Sequence, residues 1–266
     1  MLIIITSTIL LLLLTTILIL KSRNSSNHSA MSTPEKDHTS KIVQPAIPSP
    51  THGPGGSFSV EAKIFIPDTT PAAVLAVIRD TSTWERWNPH TPFFRFSSSP
   101  SSPGADSDPG SDLIPPGKEG WLNLGSRGAM SVFMSGDGLA PGARDKKTRQ
   151  QVMVVTILEP LSSSSPSPTS PGEGQKRKGL RIAWKSEGYP HWQLHTERVT
   201  DLLEVDDGEG RMGTEYVCWE SFGGLIAPVV RLAVGSQLRE RFGEYAVGLR
   251  RYCIASEEKD GGVVGE

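Results

Sequence analysis

A long amphipathic helix near the C-terminus constrains the fold of this chain more than any other feature. Between about Leu225 and Ala255, apolar side chains recur at spacings of three and four residues, the repeat of one helix face. That face carries Val230, Val234, Leu238, Phe242, Tyr245, Leu249 and Tyr252. A stripe of this length has to be covered by another layer of secondary structure. The rest of the chain must therefore supply that layer.

Alternating apolar and polar residues upstream predict that this layer is a β-sheet. The first strand, residues 58–66, ends at Pro67. Thr70 and Pro71 have the residue types of a helix N-cap and first helical position, and a second short helix is expected over 83–88. Further strands are predicted at about Phe93–Ser97, Gly120–Gly125, Ala129–Ser135, Gln150–Leu158, Leu180–Glu187, Gln193–Val205 and Gly213–Phe222.

Segments rich in Ser, Pro and Gly divide the chain. The 21 prolines and 27 glycines, with only 36% hydrophobic residues, indicate that part of the sequence lies outside the folded core. We expect a disordered linker at 22–56, a domain at 57–256 and a disordered tail at 257–266. Within the domain, residues 98–117 and 162–178 are expected to be disordered insertions.

The N-terminus predicts a membrane anchor. Residues 2–20 contain fourteen Leu or Ile, five Ser or Thr and no charge, enough for a helix to span a bilayer. We therefore assign residues 1–21 to a transmembrane helix. Lys21 and Arg23 follow the run, so the positive-inside rule places the domain in the cytosol of a single-pass membrane protein, with the endoplasmic reticulum as a plausible membrane. A cleaved signal peptide and a true start at Met31 are the alternatives.

The order of the elements and several local sequences resemble the START/pollen-allergen-like superfamily, also called SRPBCC or helix-grip, including its polyketide cyclase-like and coenzyme Q-binding members. The resemblance covers about 58–255. The residues that carry it include Ile66-Pro67, Thr70-Pro71, Trp84, Trp87-Asn88-Pro89, Trp184, Gly213-Thr214-Glu215-Tyr216 and Glu220-Ser221-Phe222-Gly223-Gly224. It implies an α+β helix-grip fold, in which a curved antiparallel sheet wraps around the long C-terminal helix. It also implies a cavity for a lipid, polyketide or terpenoid-like molecule.

Strand periodicity predicts which side chains face that cavity. Trp184 shares a face with Leu180 and Ile182, and Glu220 shares one with Phe222. On the strand between them, the face of Val199, Leu203 and Val205, continued backward, includes His195 and Glu197. We therefore predict that Trp184, Glu197, Phe222, Val234, Leu238 and Phe242 bind the ligand.

The alternative function is an enzyme of the polyketide cyclase or dehydratase type, acting without a cofactor. In it, Glu220 and His195 would serve as the acid–base pair, because burial against an apolar cavity raises the pKa of a carboxyl group. A structural pairing of Glu220 with an arginine is the competing interpretation. The sequence leaves the choice between carrier and enzyme open.

Charge and motifs argue against several other classes. A net charge of −2 and a pI near 6.3 make nucleic acid a poor partner. The six histidines and two cysteines do not fall at metal-ligand spacings, so no metal site is expected, and His191 is interpreted as a loop residue. No phosphate-binding glycine loop or nucleophile elbow is present. Two cysteines are too few for a disulfide framework, which favours a reducing compartment.

Overall fold

The structure is a computed structural model that describes residues 38–99, 113–161 and 178–261, with side chains up to Ser256. Its strands are β1 (His38–Val43), β2 (Phe58–Pro67), β3 (Phe93–Ser98), β4 (Arg127–Val132), β5 (Arg149–Pro160), β6 (Gly179–Glu187), β7 (His195–Asp206) and β8 (Met212–Gly223). Its helices are α1 (Pro71–Arg79), α2 (Ala227–Gly261) and two 3-10 helices, Thr81–Arg86 and Ala143–Asp145.

The eight strands form one antiparallel sheet in the order β1-β2-β8-β7-β6-β5-β4-β3. Helix α1 and the 3-10 helix that follows it carry the chain from β2 to the far edge, where β3 begins a meander that returns to β8. Helix α2 then packs across the sheet, mainly against β1 and β2. The antiparallel sheet and long C-terminal helix expected from the sequence are confirmed.

Side chains separate into two sets according to the face of the sheet. On the inner face, which α2 covers, lie apolar residues of every central strand, including Ile64, Ile182 and Phe222. On the outer face, a smaller cluster contains Val199 and Trp219. The central strands are therefore buried on both sides.

The start of α1 follows the sequence prediction. The Thr70 hydroxyl accepts a hydrogen bond from the backbone N–H of Ala73 (3.2 Å), and Pro71 occupies the first turn. This cap fixes where the chain leaves the sheet after β2. It also directs the apolar side of α1, which includes Leu75 and Ile78, into the core.

One predicted strand is wrong. Residues 120–125 form turns around an isolated bridge rather than a strand. The cause is Arg79, whose buried guanidinium donates to the carbonyl of Leu122 (2.9 Å) and the side chain of Asn123 (2.6 Å). This segment thus supplies the hydrogen-bond acceptors that the buried guanidinium needs. Burial lowers the pKa of Arg79 to about 10.

The predicted linker at 22–56 needs correction, because β1 lies within it and pairs along β2. Residues 44–57, which we call the cover loop, then cross the outer face of the sheet. The Ser59 hydroxyl accepts from the backbone N–H of Ile47 (2.8 Å), and Ser221 donates to the Ile47 carbonyl (2.5 Å). The polar composition of the cover loop did not indicate that it is ordered, because it is held to the sheet by hydroxyl groups rather than by apolar side chains.

The other predicted segment boundaries are closer to those in the structure. Helix α2 continues to Gly261, so the predicted tail at 257–266 begins too early. Most of the two predicted insertions lies outside the described residues, although 98–99, 113–117 and 178 belong to the described part. Cys218 and Cys253 form no disulfide.

The prediction of a membrane protein is corrected. In the part of the chain that the structure describes, no helix is long and apolar enough to cross a bilayer. This finding contradicts the localisation as a single-pass membrane protein with a cytosolic domain. The apolar run behind that prediction, residues 2–20, lies outside the described residues.

The contact between α2 and the Trp87 backbone gives a test of the packing. A Cβ atom at Gly248 would lie 2.1 Å from the carbonyl oxygen of Trp87, so Gly248→Ala has to push the helix away. We expect the free energy of unfolding to fall by about 1–3 kcal/mol in urea denaturation. Gly235→Ala is the control, since its nearest neighbour is the flexible end of Ile42 at 3.2 Å and alanine favours the helix by about 1 kcal/mol. Equal destabilisation by both changes would contradict this account of the interface.

Candidate functional site

A charged pair lies on the inner face of the sheet, beneath α2. Arg198 of β7 stands directly opposite Glu220 of β8 in the antiparallel register. Its Nε and one terminal nitrogen each lie 3.2 Å from Glu220 Oε2. Both side chains are buried, so each charge depends on the other for compensation.

Aromatic rings surround this pair. The Arg198 guanidinium lies 4.2 Å from the ring centroid of Phe242, 5.6 Å from that of Tyr245 and 5.8 Å from that of Trp184. Burial lowers the pKa of Arg198, but Glu220 acting together with Cys218, Tyr216 and Tyr245 outweighs burial and leaves the pKa raised. The arginine therefore stays charged inside an aromatic enclosure.

Two tyrosines and a thiol near the pair stay protonated. Burial raises the pKa of Tyr216, Tyr245 and Cys218, because each would lose hydration as an anion. These groups can act as hydrogen-bond donors at neutral pH but not as bases.

His90 is the second polar feature of this interior. It is buried, and no protein group hydrogen-bonds to either of its ring nitrogens. Burial, followed by the positive charges of Arg198 and Arg241, lowers the pKa of His90 to about 3. The imidazole is therefore neutral and offers one donor and one acceptor.

The position of His90 follows from the Trp-Asn-Pro sequence. The Asn88 side chain donates to Thr91 Oγ1 (2.8 Å) and accepts from the Thr91 backbone N–H (2.9 Å), closing a tight turn. The carbonyl of His90 accepts from Phe133 N–H (2.8 Å). These bonds fix the backbone, so the imidazole is held in the core.

A groove with a volume of about 830 Å³ runs beside α2 and reaches this turn. It is lined by β1, by Trp87 and Pro89, by Leu139 and by helix residues from Arg239 to Arg251. The Trp87 ring also packs edge-on against Tyr245, with 5.0 Å between centroids. Trp87 thus separates the groove from the aromatic enclosure of Arg198.

The predicted acid–base pair is not brought together. Glu220 faces inward as expected, but His195 lies on the outer face, opposite Gly223. The prediction that the Val199 face of β7 points inward is wrong, because Val199 belongs to the outer cluster. Glu220 is paired with Arg198 instead.

The predicted ligand-binding residues divide in the same way. Trp184, Phe222, Leu238 and Phe242 are buried in the inner cluster, and the partly buried Val234 packs against it. Glu197 does not join them. Its carboxylate lies on the outer face and accepts hydrogen bonds from Thr51 and Thr156.

His195 has different neighbours from those predicted. His52 of the cover loop, His191 of the β6–β7 loop and His195 place one ring nitrogen each within 4.8 Å of the others. Sequence alone does not group these histidines, because His52 is remote in the chain and lies in the predicted linker. This cluster is contrary to the expectation, drawn from spacing alone, that the histidines cannot form a metal site.

The chain is similar to a curated protein and to several solved structures. No protein-family model matches the chain. A curated relative, the Oxopyrrolidines biosynthesis cluster protein O of Penicillium oxalicum, is 27% identical over 175 residues, which cover 63% of this chain and 73% of the relative.

Similar solved structures include a hypothetical protein from Helicobacter pylori, with a TM-score of 0.44, 14% identity and coverage of 86% of this chain and 98% of that one. Human STARD10 has a TM-score of 0.40 and 11% identity, with 78% of this chain and 67% of that one covered. The strand order and the C-terminal helix are those of a helix-grip fold, so the resemblance stated from the sequence is confirmed for the fold.

Removing one member of the buried pair should lower the free energy of unfolding much more than replacing both members with apolar residues. Arg198→Met leaves Glu220 buried without a counter-charge, so we expect a loss of about 3–5 kcal/mol in the free energy of unfolding. The double variant Arg198→Met/Glu220→Leu removes both charges and should recover most of that loss. Chemical denaturation of the three proteins measures this, and a double variant as unstable as the single one would contradict the pairing.

His90 should make stability depend on pH. Its folded pKa lies near 3, below the unfolded value of about 6.5, so its contribution is complete above pH 6.5 and is lost as the pH falls towards 3. Between pH 7 and 5 the loss should be about 2 kcal/mol. His90→Gln should remove this part of the pH dependence, whereas His38→Gln should keep it. Parallel pH profiles for the wild type and His90→Gln would refute the assignment.

Proposed function

We propose that this protein binds a hydrophobic small molecule with an oxygen-rich polar group, between the sheet and α2. The observation that carries the proposal is the buried, unpartnered and neutral His90, whose pKa Arg198 helps to lower, in an interior lined by aromatic side chains that also holds the Arg198–Glu220 pair. Binding sites for small molecules typically combine such apolar walls with a few converging polar groups.

The polar groups favour a particular ligand chemistry. Arg198 is a fixed cation, and His90 offers a donor and an acceptor without a protein partner. A carbonyl, phenolate or carboxylate oxygen can accept hydrogen bonds from such a pair. A buried donor without a hydrogen-bond partner costs roughly 1–3 kcal/mol, so a ligand that bonds to His90 recovers that free energy.

The groove beside α2 is the proposed path of access. Its volume of about 830 Å³ falls within the range typical of ligand sites, roughly 300–1,000 Å³. Trp87 and Pro89 line it, and His90 is the next residue along the chain. In this proposal, a movement of the Trp87 ring, which packs against Tyr245, would open the groove towards the interior.

A role in a biosynthetic pathway is the cellular part of the proposal. It is supported by the name of the Penicillium oxalicum relative, which refers to a biosynthesis cluster. Deleting the gene and comparing small-molecule extracts would test it. An unchanged metabolite profile under conditions that express the gene would count against a pathway role.

The enzymatic alternative receives less support. It depended on Glu220 acting with His195, but these residues lie on opposite faces of the sheet. Glu220 instead accepts hydrogen bonds from Arg198. We therefore favour binding over polyketide cyclase-like or dehydratase-like catalysis.

An anionic aromatic probe tests the binding site. We expect 1-anilinonaphthalene-8-sulfonate to bind the full chain saturably, with enhanced fluorescence, and more tightly than its neutral analogue N-phenyl-1-naphthylamine. Val247→Trp places a large ring in the groove and should weaken binding at least about tenfold, which corresponds to about 1.4 kcal/mol.

Leu232→Trp is the matched control, because Leu232 lies on the same helix but is 82% exposed, outside the groove. It should bind the probe as the wild type does. Equal affinity of both tryptophan variants would exclude the groove, and equal affinity for the charged and neutral probes would exclude Arg198 as the recognition group.

A further inference from the structure

Three histidines from separate segments meet on the outer face of the sheet, on the side opposite the proposed ligand site. His52 comes from the cover loop, His191 from the β6–β7 loop and His195 from the first position of β7. One ring nitrogen of each lies within 4.8 Å of the other two. Three imidazole groups that lie this close together form a ligand set that Zn²⁺ and related ions prefer.

The hydrogen bond of His195 fixes which nitrogen is available. Its Nδ1 lies 2.7 Å from the backbone carbonyl oxygen of His191. A carbonyl only accepts, so Nδ1 carries the proton and Nε2 holds a free lone pair. Metal-bound histidines generally donate their second nitrogen to a carbonyl or carboxylate in this manner.

His52 supplies a second independent observation. Its Nε2 is buried and has no hydrogen-bond partner in the protein. A buried imidazole nitrogen without a partner in the protein has a lone pair available to a metal ion.

The carboxylate of Glu197 holds His52 in place. It accepts hydrogen bonds from both the backbone N–H (2.7 Å) and the hydroxyl (2.6 Å) of Thr51, the residue before His52. Thr156 donates a third bond (3.0 Å). Glu197 thus fixes the cover loop on the sheet and places a negative charge near the three rings, where Lys185 is the opposing charge.

We propose that His52, His191 and His195 bind one divalent transition-metal ion, with Zn²⁺ as the best match. Three imidazole ligands leave a fourth position for water. A bound ion would clamp the cover loop and the β6–β7 loop to the start of β7. The site is separate from the inner ligand site and does not depend on it.

Binding requires a small rearrangement. Zn–N bonds of about 2.0–2.1 Å place ligand nitrogens about 3.3 Å apart, so the three rings have to close by up to about 1.5 Å. The rings of His191 and His195 are stacked with centroids 3.8 Å apart, and a shared ion requires them to tilt towards each other. His191 is exposed and can make this movement.

Metal binding to the full chain tests the proposal. After treatment with a chelator, we expect calorimetric titration with Zn²⁺ to show one saturable site. At a free Zn²⁺ concentration one hundred times the Kd, the melting temperature should rise by about 5–10 °C. Co²⁺ should give the visible absorption of a low-coordinate nitrogen site.

Variants identify the ligands. His191→Ala should weaken Zn²⁺ binding at least about tenfold, since even the loss of an outer partner commonly costs about 10–100-fold. His191 is exposed, so in the presence of chelator the His191→Ala variant should melt at the same temperature as the wild type. This measurement separates a loss of affinity from misfolding. His38→Gln, a histidine outside the cluster, should bind as the wild type does. The absence of saturable binding in the wild type, or unchanged affinity in His191→Ala, would overturn the proposal.

Discussion

The pairing of β7 with β8 is the constraint on which the rest of this structure depends. Both strands are covered on the inner face by α2 and on the outer face by the cover loop, so their polar residues have to be satisfied within the protein. The inner face does this with Arg198 and Glu220. The outer face does it with Asp201 of β7 and Arg181 of the neighbouring strand β6, which are joined by two hydrogen bonds of 2.6 and 2.8 Å. Each face of β7 therefore carries one buried arginine–carboxylate pair.

Much of the fold could be predicted from the sequence because its signals are local. Thr70 and Pro71 determine the start of α1, and the apolar stripe of α2 contains the residues that pack on the sheet. Alternation placed Trp184 and Glu220 on the correct face. These predictions needed only a repeat or a cap, and no knowledge of distant partners.

The site was harder to predict because the alternation of side chains cannot distinguish the inner from the outer face of a strand when both faces are buried. In β7, Val199 and Leu202 are equally buried but face opposite ways, so choosing the Val199 face placed His195 and Glu197 on the wrong side. His90 and His52 lie in turns, and only tertiary contacts with remote segments give them their environments. The Trp-Asn-Pro turn was the one local signal that could have located His90.

The pairing of β2 with β8 also governs the order in which the chain can fold. Phe58 pairs with Phe222, so the sheet joins residues from near the two ends of the domain. Non-local pairings of this kind slow folding, because loop closure precedes the contacts that stabilise it. During synthesis, β1 and β2 emerge before β8, so the edge of β2 that pairs with β8 has no partner strand until β8 has been made. The sheet and its core are therefore complete only when β8 and α2 are present.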